Sequence, residues 1–447
     1  MARKKKNASS SPLDTPQNRT EKYLAKLAKL TEGSEDLGYP QNRLERFLAK
    51  LAGYTDEFPE GEYSRLERYL KLIETGGGGG GSGVPASDVN FFDYDGTIVA
   101  SYTAADFANL SALPDNPTHD GLTAQGWNWT LADAKTYVAS YGKLNIGQMY
   151  ITGDGKTRIY IKLEEGRLAP YLGLAINGTA TVEWGDGQTS TVTGTNIARV
   201  VNTQHTYTSA GEYVIKIAVD GMAQLMGTPS YGSQVIWKNN TTAIQNRVYQ
   251  NSIQKIEIGA NTSIGVYAFA QCYSIRSIAI PNTVTSILGY TFNNCYSLVS
   301  IVIPSSVRNV EAHTFHGCYS LIAVAIPSSI TSFSNYTFKS CYSLGSVAIP
   351  ANLTDIGTYV FEDCYSLSFI SIPNRVEIID AYAFSQCAGL SAIKFTSELP
   401  PDDVETGAWN SLPADCIIYV PRGSLTAYTS AAGYPSSSVY TYVEYDP

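Results

Sequence analysis

The sequence predicts a mostly β, multidomain protein that ends in a long repeat solenoid. Three observations carry this prediction. A 23-residue period runs from residue 253 to residue 390, short strand-like and helical stretches fill residues 84–220, and a run of glycines at 76–83 follows a helical N-terminal segment. A chain of 447 residues has room for about three domains.

The repeat is visible as two columns of identical residues spaced 23 positions apart. Each Cys opens a run such as Cys295-Tyr-Ser-Leu298, followed by Ile301-x-Ile303-Pro304. A period of this length with apolar residues at this spacing is typical of a leucine-rich solenoid, in which stacked coils bury what one coil cannot. We expect each coil to give a short strand, a proline that ends it, and a turn that carries a phenylalanine inward. The columns are Phe269, Phe292, Phe315, Phe338, Phe361 and Phe384, and Cys272, Cys295, Cys318, Cys341, Cys364 and Cys387.

Composition and charge exclude several classes of protein. A net charge of −9 excludes a nucleic-acid-binding body, and the absence of an apolar run of about 20 residues excludes membrane insertion. No secretory signal is expected, because the basic run at residues 3–6 precedes a polar stretch. No Cys or His cluster has metal-ligand spacing, so neither a metal nor a cofactor is expected. The six column cysteines are expected to be stacked free thiols rather than disulfides.

Residues 1–75 are predicted to be a helical anchoring segment with three copies of one motif. Each helix has about three turns, too short to be stable alone in water. The copies therefore form either a three-helix bundle or three separate hooks that lay apolar stripes into grooves of a partner, and both alternatives stay open. Residues 76–83 are a flexible glycine-rich linker. The stripes consist of Tyr23, Leu24, Leu27, Phe47, Leu48, Leu51, Tyr69, Leu70 and Ile73.

Residues 84–170 are predicted to be a small α+β domain. Residues 89–99 have the pattern of strand, turn and strand. Residues 103–113 and 130–140 are expected to be helical, the first with Thr103 as its cap. A β-hairpin is expected across the turn at 153–156, between strands at 148–151 and 158–161.

One motif in this domain resembles the first motif of haloacid-dehalogenase-type phosphatases. Phe91-Phe-Asp93-Tyr-Asp95-Gly96-Thr-Ile98 carries the resemblance, which implies Asp93 as a nucleophile and Asp95 as an acid/base beside Mg²⁺. The family's later Ser/Thr, Lys and acidic pair, and its alternating strands and helices, do not follow. The residues themselves predict an Asp-Gly hairpin turn, and we assign no catalytic residue.

Residues 171–220 resemble a polycystic-kidney-disease-type (PKD) domain. The resemblance rests on Trp184-Gly-Asp186-Gly, followed by His205-Thr-Tyr207 and a strand after Gly211. It implies an immunoglobulin-like β-sandwich used as a spacer or adhesion module. We expect Trp184 and Tyr213 to anchor its core, His205 to be a framework residue, and early strands to come from 171–176 or the preceding domain.

The last three segments are a linker or N-terminal cap at 221–251, the solenoid at 252–395 and a C-terminal cap at 396–447. Outward positions of the solenoid strands are small and uncharged, as in Ser277, Ser300 and Ala323 and in Val302 and Ala325. We expect this face to be exposed and able to pack flat against another surface, such as a neighbouring chain, so homo-oligomers stay open.

Two aromatic columns flank the turn between the Phe and Cys columns, where the side chains vary from coil to coil. Tyrosine gives large rigid area and a polar tip, so recognition is one interpretation and rigidification of the stack is the other. The candidate binding residues are Tyr267, Tyr290, His313, Tyr336 and Tyr359, and Tyr273, Tyr296, Tyr319, Tyr342 and Tyr365; Tyr382 continues the first column.

The Ile-Pro, Ala-Phe and Cys-x-x-Leu landmarks of residues 252–445 resemble the bacterial BspA-type leucine-rich repeats, and this resemblance implies an adhesive, non-enzymatic protein. Helical hooks, a glycine joint and a PKD-like module also resemble phage structural proteins. We therefore expect a virion fibre held to tail, neck or capsid proteins by residues 1–75, with a host-surface protein or glycan bound by the solenoid. The rivals are a cell-surface adhesin and a phosphatase acting through Asp93 and Asp95.

Overall fold

A computed structural model of the chain describes residues 88–226, 236–237, 249 and 251–446. The chain divides into two units, Met1–Gly83 and Val84–Pro447, and all described residues belong to the second. The helical motifs and the glycine linker lie outside the described residues, so the anchoring hypothesis stays a prediction.

The small α+β domain is a four-stranded sheet with two helices. Its order is β2 (Ile98–Tyr102), β1 (Val89–Phe92), β4 (Leu144–Thr152) and β3 (Leu122–Trp127). Strands β1 and β4 are parallel, and the other two pairs are antiparallel. The strand, turn and strand predicted at 89–99 are confirmed.

Both helices of this domain begin where a threonine caps them. Helix α1 spans Ala104–Ala108 and helix α2 spans Leu131–Tyr141. The hydroxyls of Thr103 and Thr130 each accept a hydrogen bond from a backbone N–H of the first turn, at 3.1 Å. The predicted cap is therefore confirmed, although α1 ends five residues before the predicted position 113.

The hairpin predicted across residues 153–156 is wrong. Strands β4 and β5 (Thr157–Leu163) both form, but β4 pairs with β1 and β3, whereas β5 pairs with two other strands of a second sheet. The turn is closed locally, with Gly155 N donating to Thr152 O at 2.9 Å. It is a corner at which the chain passes from one sheet to the next.

The second sheet has eight strands and joins the PKD-like region to the first coil of the solenoid. Its central order is β12-β10-β5-β8-β6-β7, with β11 paired to β8 and β9 paired to β6. Early strands were expected from residues 171–176 or from the preceding domain, and both contribute, since a strand begins at Tyr171 and β5 pairs with the strand at Gly211–Leu225. These strands form one continuous hydrogen-bonded sheet instead of two packed sheets, so the expected two-sheet sandwich is not seen, and the PKD relationship stays a prediction. The remaining strands are β6 Tyr171–Glu183, β7 Thr189–Gln204, β8 Gly211–Leu225, β9 Ile236–Trp237, β10 Ile253–Glu257, β11 Thr262–Ile264 and β12 Ser277–Ala279.

A row of glycines crosses the three long strands of this sheet. Gly178 lies opposite Gly194 on one side and Gly221 on the other. Gly178 has φ 125° and Gly221 has φ 106°, and a Cβ atom at either would lie within 2.3 Å of a carbonyl oxygen of the neighbouring strand. Only glycine permits this backbone and this approach. Before the row β6 is buried on both faces, and after it burial alternates.

Trp184 anchors the far end of the sheet, as expected. It is fully buried, and its Nε1 donates to Ser190 Oγ at 2.9 Å. His205 stacks on it at 5.0 Å and lies 2.6 Å from the Asp186 carboxylate, which places His205 in the framework. Tyr207, buried and donating to Trp184 O, packs here more deeply than the predicted anchor Tyr213.

The solenoid consists of stacked coils with parallel strands on two sides. All its pairings within the stack are parallel and join equivalent positions of neighbouring coils, which confirms the predicted leucine-rich solenoid. One side carries, after β12, strands β14 Ser300–Val302, β16 Ala323–Ala325, β19 Phe369–Ile372, β21 Ala392–Phe395, β23 Ile417–Pro421 and β24 Thr441–Tyr445. The other carries, after β11, strands β13 Ser286–Ile287, β15 Asn309–Val310, β17 Ser332–Phe333, β18 Asp355–Ile356, β20 Ile378–Ile379 and β22 Asp403–Val404.

The cysteine column is a ladder of buried free thiols, as predicted. From Cys295 to Cys387, each of the five Sγ atoms donates to the carbonyl oxygen of the phenylalanine one coil earlier, for example Cys295 to Phe269 at 3.1 Å and Cys318 to Phe292 at 3.2 Å. The phenylalanine rings stack between 5.3 and 5.6 Å apart, and Trp409 continues the stack beyond Phe384 at 4.8 Å. The cap, with helix α3 at Leu425–Ser430, therefore closes the column with a larger ring.

The expectation that the small-residue face is exposed is wrong. Ser300, Ala323, Val302 and Ala325 are each at most 4% exposed, because the α+β domain of the same chain covers them. Strand β4 crosses this face at Gly147, where a Cβ would lie 2.4 Å from Val302. The predicted flat packing does occur, but its partner is a domain of the same chain.

Side chains of the α+β domain fasten it to backbone carbonyls of the solenoid. Asn128 Nδ2 donates to Ala325 O at 3.1 Å, and Trp129 Nε1 donates to Ile326 O at 3.0 Å. The Tyr137 hydroxyl donates to Ile349 O, and burial raises the pKa of this phenol. The Ala325 carbonyl also accepts from Ile303 N, and Trp129 and Tyr137 supply donors to the carbonyls of Ile326 and Ile349 at this contact.

Candidate functional site

The turn between the Phe and Cys columns has the same strained backbone in every coil. Two residues of each turn adopt the left-handed region, with φ between 56° and 75°. L-residues other than glycine enter this region at a cost, so the contacts between coils must stabilise it. The turns also join neighbouring coils directly: Phe269, Phe292 and Phe315 each donate from N–H to a threonine carbonyl of the next coil at 2.9 Å. The left-handed positions are Tyr267, Tyr290, His313, Tyr336, Tyr359 and Tyr382, and Gln271, Asn294, Gly317, Ser340, Asp363 and Gln386.

The first aromatic column starts from the strained position of each turn and stacks face to face. Its ring centroids are 4.3 to 5.0 Å apart, and its planes differ by 5° to 22°. The second column, from Tyr273 to Tyr365, stacks at 4.5 to 5.0 Å. The members are half-buried, apart from the more exposed Tyr382.

This stacking determines what the columns offer to a ligand. Because the faces of the rings contact one another, a sugar cannot lie flat on an interior ring as on an isolated tyrosine. The columns instead present ring edges and phenol oxygens in a regular array. Edges carry partial positive charge and the hydroxyls both donate and accept hydrogen bonds, so the array favours a polar ligand that contacts several coils.

A charged cluster lies at the middle of the turn region. Lys339 forms an ion pair with Glu362, and its Nζ lies 4.6 Å from the centre of the Tyr359 ring. Ser340 Oγ and Tyr365 OH donate to the two oxygens of Asp363, at 3.3 and 3.1 Å. The variable side chains of this turn therefore bind one another from coil to coil.

Burial shifts the pKa values of the ionisable groups in and near this cluster. It raises the pKa of Glu362 above its usual range, against the opposing effect of Lys339, and it raises the pKa of Asp363 as well. Burial between two tyrosine rings, together with the charge of Lys339, lowers the pKa of His313. His313 is therefore neutral in the stack at neutral pH.

Asp93 and Asp95 lie in the turn between β1 and β2. Gly96 N donates to Asp93 O at 3.0 Å, and Thr97 N donates to the Asp95 carboxylate at 2.9 Å. The Asp93 carboxylate is buried and lies 2.6 Å from His119 Nε2. The predicted hairpin turn is confirmed, and both carboxylates serve the turn and its neighbours. Among the described residues no group of three His, Cys, Asp or Glu is placed to hold a metal ion.

Sequence reasoning did not identify the Lys339, Glu362 and Asp363 cluster as a unit. Its signal was the variation of charge along two adjacent columns of an otherwise repetitive turn. Within the described part of the chain, no helix has the length and apolar character needed to cross a membrane.

Comparison with known proteins confirms the nature of the repeats. Six copies of the BspA type leucine-rich repeat region match the chain, at residues 231–295 and 262–391. No match to a curated protein sequence reaches significance.

Several solved structures are similar to this chain. A leucine-rich repeat protein of T. pallidum is 23% identical over 47% of this chain and 92% of its own, with a TM-score of 0.26. One from Bacteroides ovatus is 19% identical over 54% and 67%, with a TM-score of 0.31. A leucine-rich cell surface protein of Faecalibacterium prausnitzii is 20% identical over 41% and 65%, with a TM-score of 0.27.

Proposed function

We propose that this chain is an adhesion protein that binds a polar surface ligand, a glycan or a host-surface protein, along the aromatic columns of its solenoid. The observation that carries the proposal is the pair of half-buried tyrosine columns, held in register by a left-handed backbone in every coil. A ligand that meets such a surface finds side chains that are already immobilised, so little conformational entropy is lost on binding.

Removing phenol oxygens while keeping the stacks tests this proposal. We expect Tyr290→Phe, Tyr336→Phe and Tyr359→Phe, combined in the full chain, to weaken binding to host cells or arrayed glycans at least tenfold. The stacked rings remain, so the unfolding midpoint should change little. Tyr171→Phe on β6 is the matched control, since it removes a phenol outside the solenoid. Equal binding by the triple variant and the control would exclude the columns as the binding surface.

We further propose that the chain is a virion fibre, attached through residues 1–75 to tail, neck or capsid proteins. Support comes from the three repeated apolar stripes and the glycine-rich stretch after them, which suit a tethered attachment. The second candidate is a bacterial cell-surface adhesin, which the BspA-type repeats favour equally.

Fractionation of a culture that produces the protein distinguishes the two attachments. A fibre sediments with phage particles and is released from them when Leu24→Asp, Leu48→Asp and Leu70→Asp are combined. A cellular adhesin is found on the cell envelope in cultures free of phage, and that result would overturn the virion proposal while leaving the tyrosine test unaffected.

A further inference from the structure

The last strand of the solenoid has one edge with no backbone partner among the residues that the structure describes. Strand β24 pairs in parallel with β23 and ends its sheet. Arg422 N donates to Tyr445 O at 2.9 Å, so the carbonyl of Tyr445 points back toward β23. Backbone groups alternate in direction along a strand, so the N–H and C=O groups of Tyr442 and Glu444 point to the open edge. Such an edge is a template for another strand.

Side chains hold this strand rigidly in place. Tyr442 OH donates to Pro435 O at 2.8 Å, and Tyr445 OH donates to Phe395 O at 3.0 Å. The Glu444 carboxylate accepts from Gly423 N at 2.9 Å. The only charge within the strand is therefore already bound inside the same chain, and the edge is ordered before any partner arrives.

Apolar side chains are exposed in the same C-terminal segment, one of them, Val443, on the strand itself. Soluble proteins rarely leave large apolar groups this exposed in one region without a partner for them. Half of the exposed large apolar side chains that the structure describes lie in this terminal part: Leu399 at 71%, Val439 at 59%, Leu425 at 37% and Val443 at 36%.

We propose that β24 is a dimerisation edge, which pairs antiparallel with β24 of a second copy of this chain about a two-fold axis at Val443. In this register Tyr442 of each copy lies opposite Glu444 of the other, and their outward N–H and C=O groups form four hydrogen bonds. Val443 faces its own symmetry mate in the close pair between them. No like charges are opposed, and the two-fold pairing closes without leaving a further free edge.

Charged substitutions of Val443, which lies at the two-fold axis, test the proposed register of the β24 pair. The full chain should sediment as a dimer at micromolar concentration. Val443→Lys and Val443→Glu should each give monomers, because like charges lie directly opposite, and mixing the two variants should restore dimers through a Lys–Glu pair. Met222→Lys, at a 57% exposed position on β8, is the matched control and should stay dimeric. A monomeric natural chain, or dimers that persist in both Val443 variants, would overturn the proposal.

A disulfide provides an independent readout. Val443→Cys should cross-link two copies under mild oxidation, since Cβ atoms of a close antiparallel pair lie within disulfide reach. The seven native thiols are free and buried, so they leave the background low. Met222→Cys, at a more exposed position away from β24, should cross-link at least tenfold more slowly. Equal rates for the two variants would show that β24 does not pair in this way.

Discussion

Cysteine suits the column after each phenylalanine because it is small, apolar and still able to donate one weak hydrogen bond. The Phe292 carbonyl accepts from Cys295 N at 3.0 Å in its own coil and from Cys318 Sγ at 3.2 Å in the next. A buried carbonyl with one unused lone pair thus gains a second donor without the desolvation cost of a hydroxyl. The 23-residue period predicted this ladder, but the acceptor of each thiol follows only from the geometry of stacked coils.

These thiols should be chemically silent in the folded protein. Burial raises the pKa of all six column thiols, and it raises the pKa of Cys416 to about 11. At pH 8 almost none is the reactive thiolate. We expect no reaction with DTNB in buffer and reaction of all seven once urea unfolds the chain. Rapid labelling in buffer would contradict the buried ladder.

The left-handed tyrosines allow an unusual comparison of glycine with alanine. Both Tyr336→Ala and Tyr336→Gly lose the stacks on His313 and Tyr359, at 4.3 and 4.9 Å. Glycine also relieves the strain of φ 61°, which is worth about 1 kcal/mol. The glycine variant should therefore be the more stable by about that amount in urea unfolding, the reverse of the order in regular strands and helices. An alanine variant as stable as the glycine one would show that the backbone there is unstrained.

His313 should make stability depend on pH. Its folded-state pKa is lowered by burial and by Lys339, so the unfolded chain binds more protons near pH 6.5 and stability falls as pH falls through that region. The variant His313→Tyr places at this position the residue that the other coils have in this column. It lacks the titrating imidazole, so its stability should not fall in this way. We expect the difference in unfolding free energy between the variant and the natural chain to grow from pH 7.5 to pH 5. A difference in unfolding free energy that stays constant would show that protonation of His313 does not affect stability.

At the scale of elements, local signals predicted most of the described structure. The cap at Thr103 was predicted because the capping chemistry acts within one turn, and Thr130 was predicted to begin a helix. The pairing partner of each strand could not be predicted from the local sequence, because it depends on distant residues. The first half of strand β4, Leu144 to Gly147, alternates in sequence like a half-exposed strand, yet it is buried on both faces between two helices and the solenoid. The turn at 153–156 suits a corner as well as a hairpin.

The crossing of β4 over the solenoid depends on Gly147. A Cβ atom there would lie 2.4 Å from one Val302 methyl and 2.9 Å from the Ala325 Cβ. Gly147→Ala should cost about 1–3 kcal/mol through overpacking. Val302→Ala should recover part of this loss in the double variant, although alone it leaves a cavity. Urea unfolding of the natural chain, the two single variants and the double variant measures the coupling between Gly147 and Val302. Additive effects would mean that the two residues are not in contact.

At the scale of the whole molecule, the α+β domain, the eight-stranded sheet and the solenoid, which the sequence divides into separate domains, are joined through their cores. One continuous apolar cluster runs from Ile159 and Trp184 in the eight-stranded sheet to Tyr428 in the cap, and Ala348 of the solenoid belongs to the core of the α+β domain. The composition shifts that mark domain boundaries cannot reveal this, because a sheet continuing from one segment into the next leaves each segment's own pattern unchanged. The shared core makes the described residues of the second unit a stiff support for the aromatic columns.

A shared core predicts cooperative unfolding. Calorimetry of the full chain should show one main transition for residues 84–447, because the α+β domain cannot leave without exposing the small-residue face and the carbonyls that Asn128 and Trp129 bind. Gly147→Ala loosens that contact and should split off an earlier, smaller transition. If the natural chain already melts in two steps, with protease cleaving the turn at 153–156 after the first, the α+β domain is an independent module rather than part of the support.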